Sequence, residues 1–156
     1  MTWFDQCFEK LISFEGGYSN NSQDKGGETN FGISKRSYPQ LDIKALTLDA
    51  AKAIYKRDYW DQAQCDSLPP TLAYLIFDAA VNSGIGQSIR FLQRALGVAD
   101  DGAMGPLTLA AVRRMDAESV CARFLGHRLD FMTRLSTFDT FGKGWSRRIA
   151  DQLKGL

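Results

Sequence analysis

Residues 14–21, Phe-Glu-Gly-Gly-Tyr-Ser-Asn-Asn, interrupt a helical pattern that otherwise occupies almost the whole chain. Upstream, Trp3, Phe4, Cys7, Phe8, Leu11 and Ile12 recur at three- and four-residue spacing, the signature of a helix burying one stripe. The spacing predicts a helix over residues 2–15 that stops at Gly16-Gly17, since glycine accepts the left-handed conformation that closes many helices. From Tyr18 to Tyr38 the chain is crowded with Ser, Asn, Asp and Gly, and only short strands near 17–19 and 29–33 are readable. These residues therefore predict a mainly α fold with one small irregular β-hairpin after the first helix.

Beyond the hairpin, helical signals return. Thr47 is placed to cap a helix carrying Leu48, Ala51, Ile54, Tyr55 and Tyr59, and Pro69-Pro70 separates it from an apolar helix through Leu72, Leu75, Ile76, Ala79 and Ala80. A break at Ser83-Gly84 precedes a helix from Ile85 to Leu96, and Pro106 suits the first position of a helix reaching Met115. A long helix over about 117–136 and a short one after Gly144 complete the pattern. No repeat, linker or low-complexity run divides the 156 residues, so the expectation is a single domain over 1–156, with residues 85–115 packed into it.

Composition excludes several classes of function. A formal net charge of +1 gives no basic stripe for nucleic acid, and no apolar run approaches the length of a membrane span. Cys7, Cys65 and Cys121 are odd in number and sit among apolar residues, so they read as core thiols suited to a reducing compartment. His127, the only histidine, has no visible Ser or Cys partner and cannot make a metal site alone, and no cofactor is expected. The N-terminus shows no signal-peptide pattern, which leads us to expect a cytoplasmic protein that depends on other machinery for release.

Glu15 is the residue that points to chemistry. It lies four residues after Leu11 and three after Ile12, where the stripe would otherwise place another apolar side chain. A carboxyl in apolar surroundings at a helix C-terminus retains its proton at higher pH, which is what a general acid needs. Asp24 stands nine residues on in a polar loop, in surroundings expected to favour the ionised form. One neutral and one charged carboxyl are the minimum for glycosidic hydrolysis, one protonating the leaving oxygen and the other activating water or stabilising the oxocarbenium ion. Thr29 supplies a hydroxyl to orient water or a substrate amide, and Glu28 is a rival acid in a more exposed setting.

The motifs E-G-G-Y at 15–18, D-x-G-G-x-T-x-x-G-I at 24–33, Y-W at 59–60, F-D-A-A-V-N-S-G at 77–84, D-G-x-x-G-P-x-T at 101–108 and G-W-x-x-R at 144–148 together resemble glycoside hydrolase family 108. The resemblance is collinear over nearly the whole chain. It implies a lysozyme-like helical fold and an N-acetylmuramidase, often a phage endolysin, with residues 85–115 similar to a predicted peptidoglycan-binding domain. It implies that Glu15 is the catalytic acid. The family's loop usually runs N-D-P-x-D before the glycines, whereas Asn20-Asn21-Ser22-Gln23-Asp24 here leaves Asp24 as its only carboxylate. The spacing is also similar to that of phage T4-type lysozymes, which would make Glu15, Asp24 and Thr29 a trio.

Other residues carry weaker expectations. Tyr18 and Trp60 could stack on sugar rings, and Asn82 with Ser83 could bond an N-acetyl group, although each also fits a packing or capping role. Trp145 and Arg148 read as residues fixing the last helix, and the arginines otherwise as a solvated surface. The resulting expectation is a monomeric hydrolase of the β-1,4 bond between N-acetylmuramic acid and N-acetylglucosamine in peptidoglycan glycan strands. It is held in a host cytoplasm until a holin releases it. The alternatives are a lytic transglycosylase and a non-catalytic wall-binding protein.

Overall fold

The computed structural model describes residues 1–156, which divide into two compact units, residues 1–58 and 59–156. The first unit begins with α1 (Trp3–Ile12). Thr2 caps it reciprocally with Asp5: the Asp5 N–H donates to Thr2 Oγ1 at 3.1 Å and the Thr2 N–H to Asp5 Oδ2 at 2.6 Å. Phe4, Cys7, Phe8 and Leu11 face inward as the spacing requires. Burying each of the phenylalanines stabilises the unit by about 1.5–3 kcal/mol.

The helix ends sooner than its apolar stripe suggests. Ser13 Oγ donates to the Lys10 carbonyl at 2.7 Å, and the Phe14 and Glu15 N–H groups reach back three residues, to Leu11 and Ile12. Such tightened bonds close a last turn without a left-handed residue. Gly16 and Gly17 are accordingly not in the left-handed region, and Phe14 is exposed.

The β element has three strands, β1 (Ser19–Asn20), β2 (Glu28–Asn30) and β3 (Ile33–Ser34), in antiparallel order β1-β2-β3. Thr29 lies opposite Ser19 on one side and Ser34 on the other. Phe31 and Gly32 connect β2 to β3 with φ of 51° and 76°, the pair of positive values that defines a type I′ hairpin turn. Buried Asn30 anchors the sheet by donating to the carbonyls of Ile43 and Leu46. Thr47 caps α2 (Leu48–Tyr55) as expected, and Tyr55 on α2 packs its ring 5.6 Å from that of Phe8 on α1. Lys52 and Asp5 pair across the same two helices.

A π-helical turn (Lys56–Trp60) follows, then a short 3₁₀ turn (Cys65–Ser67). In the second unit α3 (Pro70–Ser83) is buried continuously from Leu72 to Ala80, as a helix surrounded by others must be. It packs against α4 (Ile85–Leu96) and α6 (Ala117–Thr133); α5 (Pro106–Arg114) packs on α4, and α7 (Phe138–Lys154) on α6. Gln93 on α4 organises the loop before α5: its Nε2 donates to Asp101 Oδ1 and the Ala103 carbonyl, while its Oε1 accepts from the Gly102 N–H.

The last helix is longer than the sequence suggests, since Gly142 and Gly144 lie inside it. Gly142 is there for space. A Cβ at that position would stand 2.6 Å from the Phe138 ring one turn earlier. All three cysteines are buried and outside any disulfide, and burial pushes Cys7 up to about 12 and Cys121 up to about 11. No helix is long and apolar enough to cross a membrane.

Candidate active site

Glu15 leaves the end of α1 half-buried, its carboxyl turned toward the β2–β3 turn. A Cβ built on Gly32 would stand 2.9 Å from Glu15 Oε2 and 2.6 Å from Tyr55 Oη. Carboxyl, phenol and glycine thus meet at one point, and only glycine fits there. The Tyr55 hydroxyl donates to the Phe31 carbonyl at 2.8 Å, and the rest of the side chain is buried. Phe31 keeps a left-handed backbone that costs a bulky residue about 1–2 kcal/mol. That bond and the turn register hold it there, an arrangement that recurs where a backbone must be fixed for function.

Asp24 and Thr29 meet around a second glycine. A Cβ on Gly26 would lie 3.6 Å from Asp24 Oδ1, 3.9 Å from Thr29 Cγ2 and 3.6 Å from Ser34 Cβ. Asp24 is exposed, and its Oδ1 accepts from the Gly26 N–H at 3.0 Å, an Asx turn that fixes the direction of the carboxylate. The Asp24 N–H donates to Asn21 O and its carbonyl accepts from Gly27, so the loop is folded around this residue. Glu28, the rival acid expected to be exposed, is instead half-buried on β2, where it alternates with Thr29 across the strand. Tyr18 is 41% exposed, and Lys44 Nζ stands 5.9 Å from its ring centroid.

The remaining expected ligand contacts belong to the second unit. Trp60 is 1% exposed, donates from Nε1 to Asp66 Oδ1 at 2.8 Å and meets Phe77 edge-on at 5.4 Å. It is a core residue with no ring face to offer a sugar, contrary to the expectation from sequence. Asn82 is exposed at the end of α3 and donates to the Asp78 carbonyl at 3.0 Å.

The sequence reading missed the most strongly paired group of the second unit. Asp78 is wholly buried on α3 and receives Arg128 Nη1 at 2.6 Å, Gln152 Nε2 at 3.0 Å and the Arg148 guanidinium through two nitrogens. Burial by itself pushes the carboxyl up, but Arg128 and Arg148 outweigh it and hold Asp78 below the usual carboxylate range. Arg148 thus ties α7 to α3, while Arg128 is a core residue instead of part of a solvated surface. The available signal was an acid inside an otherwise apolar helical run, which requires a buried cation.

With this geometry established, comparison with known proteins is decisive. The family described as Glycosyl hydrolase 108 matches residues 8–84, and that described as Predicted Peptidoglycan domain matches residues 87–150. A solved structure, that of Brucella abortus SagA, is 35% identical, covering 97% of this chain and 91% of the other with a TM-score of 0.87. The chain belongs to the glycosyl hydrolase 108 family. No curated protein matches it. The fold is the lysozyme-like helical one, and the chain is a glycoside hydrolase with peptidoglycan as its partner. Both carboxyls singled out in the sequence, Glu15 and Asp24, fall within the hydrolase match.

Proposed function

We propose that this glycosyl hydrolase 108 enzyme cleaves the β-1,4 bond between N-acetylmuramic acid and N-acetylglucosamine, with Glu15 as proton donor. The observation that carries this reading is the seating of the Glu15 carboxyl against Gly32 of the β2–β3 turn and against Tyr55, whose hydroxyl bonds that turn. A general acid must be held at a fixed place beside the leaving oxygen, and a half-buried carboxyl against a hydrogen-bonded turn meets that need. Asp24, oriented by its Asx turn, supplies the negative charge that stabilises the oxocarbenium ion or activates water. Thr29 at the centre of the sheet positions the water. Tyr18 provides an exposed ring for a sugar, and Asn82, exposed in the second unit, is available to an amide of the wall polymer.

Residues 85–115 in this reading serve as structure within the second unit instead of as a separate wall-binding module, because α4 contributes Phe91, Leu92 and Ala95 to its helical core. We further place the protein in phage-induced lysis, as a monomer retained in the host cytoplasm until a holin opens the membrane. Three buried cysteines outside any disulfide suit that compartment. Expression in a host with and without a holin tests the placement: lysis only with the holin is expected. Mass spectrometry of digested wall tests the chemistry. Reducing N-acetylmuramic acid ends are expected; anhydro ends would favour a transglycosylase using Glu15 alone, and an undigested wall a binding protein.

A further inference from the structure

The second unit has a solvent-open cavity of about 390 Å³ between the end of α3, α6 and α7, within the size range of small-ligand sites. Arg128 and Met132 border it from α6, Asn82 and Ser83 from α3, and Phe141 and Trp145 from α7. Arg128 is the unusual member. Its Nη1 is shared between Asp78 and Gln152, yet its Nε and Nη2, fully buried, have no hydrogen-bond partner. A buried guanidinium with orphaned donors is costly, and because Arg128 lines the cavity, an acceptor that reached these donors from it would remove that cost.

Charge and shape specify the acceptor. One carboxylate, Asp78, serves two guanidiniums, so these three groups sum to one positive charge. Phe141 and Trp145 stack at 5.9 Å, and Phe141 remains 54% exposed, an aromatic wall with an uncovered face. At the rim, exposed Asn82 uses Nδ2 to bond the Asp78 carbonyl and carries Oδ1 as an acceptor. An anion for the floor, an amide N–H for the rim and an apolar group for the wall are the parts of an acylated amino acid with a free carboxylate.

We propose that this cavity binds the carboxylate terminus of a short peptide, pairing it with Arg128, and that the peptide stems of peptidoglycan are its source. The inference rests on the reading of peptidoglycan as substrate. The glycan strand fits less well: N-acetylglucosamine is neutral, and the lactyl carboxyl of N-acetylmuramic acid is consumed as an amide where a stem is attached. Asn82 then takes a peptide N–H, not an N-acetyl group.

The test is titration of the full chain with acetyl-D-alanyl-D-alanine, its C-terminal amide and the N-acetylglucosamine tetramer, followed by calorimetry and backbone amide shifts. The acid should bind at least about tenfold more tightly than the amide, the ratio expected when a charged hydrogen bond is lost. Shifts should centre on Arg128, Phe141 and Trp145. Phe141→Ala, which removes an exposed side chain, should weaken the acid, and Arg128→Lys should erase the preference for acid over amide. Equal affinities, no binding, or shifts at the cavity produced by the tetramer alone would overturn the proposal. Release of reducing ends from wall is measured on the same preparation. An active enzyme that ignores the acid overturns this inference and leaves the hydrolase reading intact. A chain that binds the acid through these residues but releases no ends upholds the cavity and refutes the hydrolase reading.

Discussion

Replacing Gly32 with alanine separates two physical effects at the candidate active site. The first is backbone strain: at φ +76° an alanine costs about 1–2 kcal/mol that no side-chain movement relieves. The second is crowding, because the new Cβ would lie 2.6 Å from Tyr55 Oη and 2.9 Å from Glu15 Oε2. Overpacking of this kind adds about 1–3 kcal/mol, giving a total of about 2–5 kcal/mol. Gly97 supplies the control, with φ +72° and nothing within 4 Å of its added Cβ. Gly97→Ala should therefore lose only about 1–2 kcal/mol. The difference between the two variants in urea unfolding isolates the crowding. Tyr55 is fixed by its bond to Phe31, so the Glu15 carboxyl, at the end of a flexible side chain, is the group that yields. A displacement near 1 Å costs about a hundredfold in rate, so Gly32→Ala should release reducing ends from wall at about 1% of the wild-type rate while Gly97→Ala remains near wild type. Equal destabilisation by the two variants, or full activity in Gly32→Ala, would refute the reasoning.

Further expectations follow from the same geometry. Asp24→Asn keeps an Oδ1 acceptor for the Gly26 N–H and removes only the charge, so turnover should fall much more than affinity for wall fragments. A loss smaller than about tenfold, well below the ~10²–10³ of a preorganised electrostatic contribution, would reduce Asp24 to a turn residue and bring Glu28 forward. Tyr55→Phe removes the donor to the Phe31 carbonyl and should cost about 1 kcal/mol in urea unfolding together with a fall in turnover; unchanged turnover would confine Tyr55 to a structural role. Asp78→Asn should lose about 3–5 kcal/mol, because it strands the guanidinium of Arg128 in the interior. Wild-type stability should respond to pH through Asp78: the depressed folded value means its contribution is complete above the unfolded value near about 4 and is lost as pH falls through the folded one. Stability from Asp78 that persisted unchanged in strong acid would contradict this.

Residue periodicity was informative where side chains had to face one way for many turns. α1, α2 and α3 are recognisable from the spacing of Phe4, Phe8, Leu11, Ala51, Ile54, Leu72 and Leu75, with Thr47 and Pro70 marking starts. It failed where structure is short or special. Strands of two or three residues carry no period, and Phe31 gives no signal of a type I′ turn because phenylalanine avoids positive φ. Gly142 reads as a helix breaker, yet α7 needs it to admit Phe138. In the site, the position of Glu15 at the end of an apolar stripe was legible, and so was the turn chemistry of Asp24. The role of Tyr55 was not, since a tyrosine on a helical stripe looks like any core aromatic until its hydroxyl finds a carbonyl 24 residues away. Trp60 shows the converse. Only packing could reveal that its ring is enclosed.

Glu15→Gln offers the most direct test of the central claim, that Glu15 is the proton donor of a peptidoglycan glycosidase. The measurement is release of reducing ends from purified wall by the variant and the wild type, with circular dichroism to establish that both are folded. The account requires a folded variant whose activity is lost. A Glu15→Gln protein that clears wall at near the wild-type rate would contradict it.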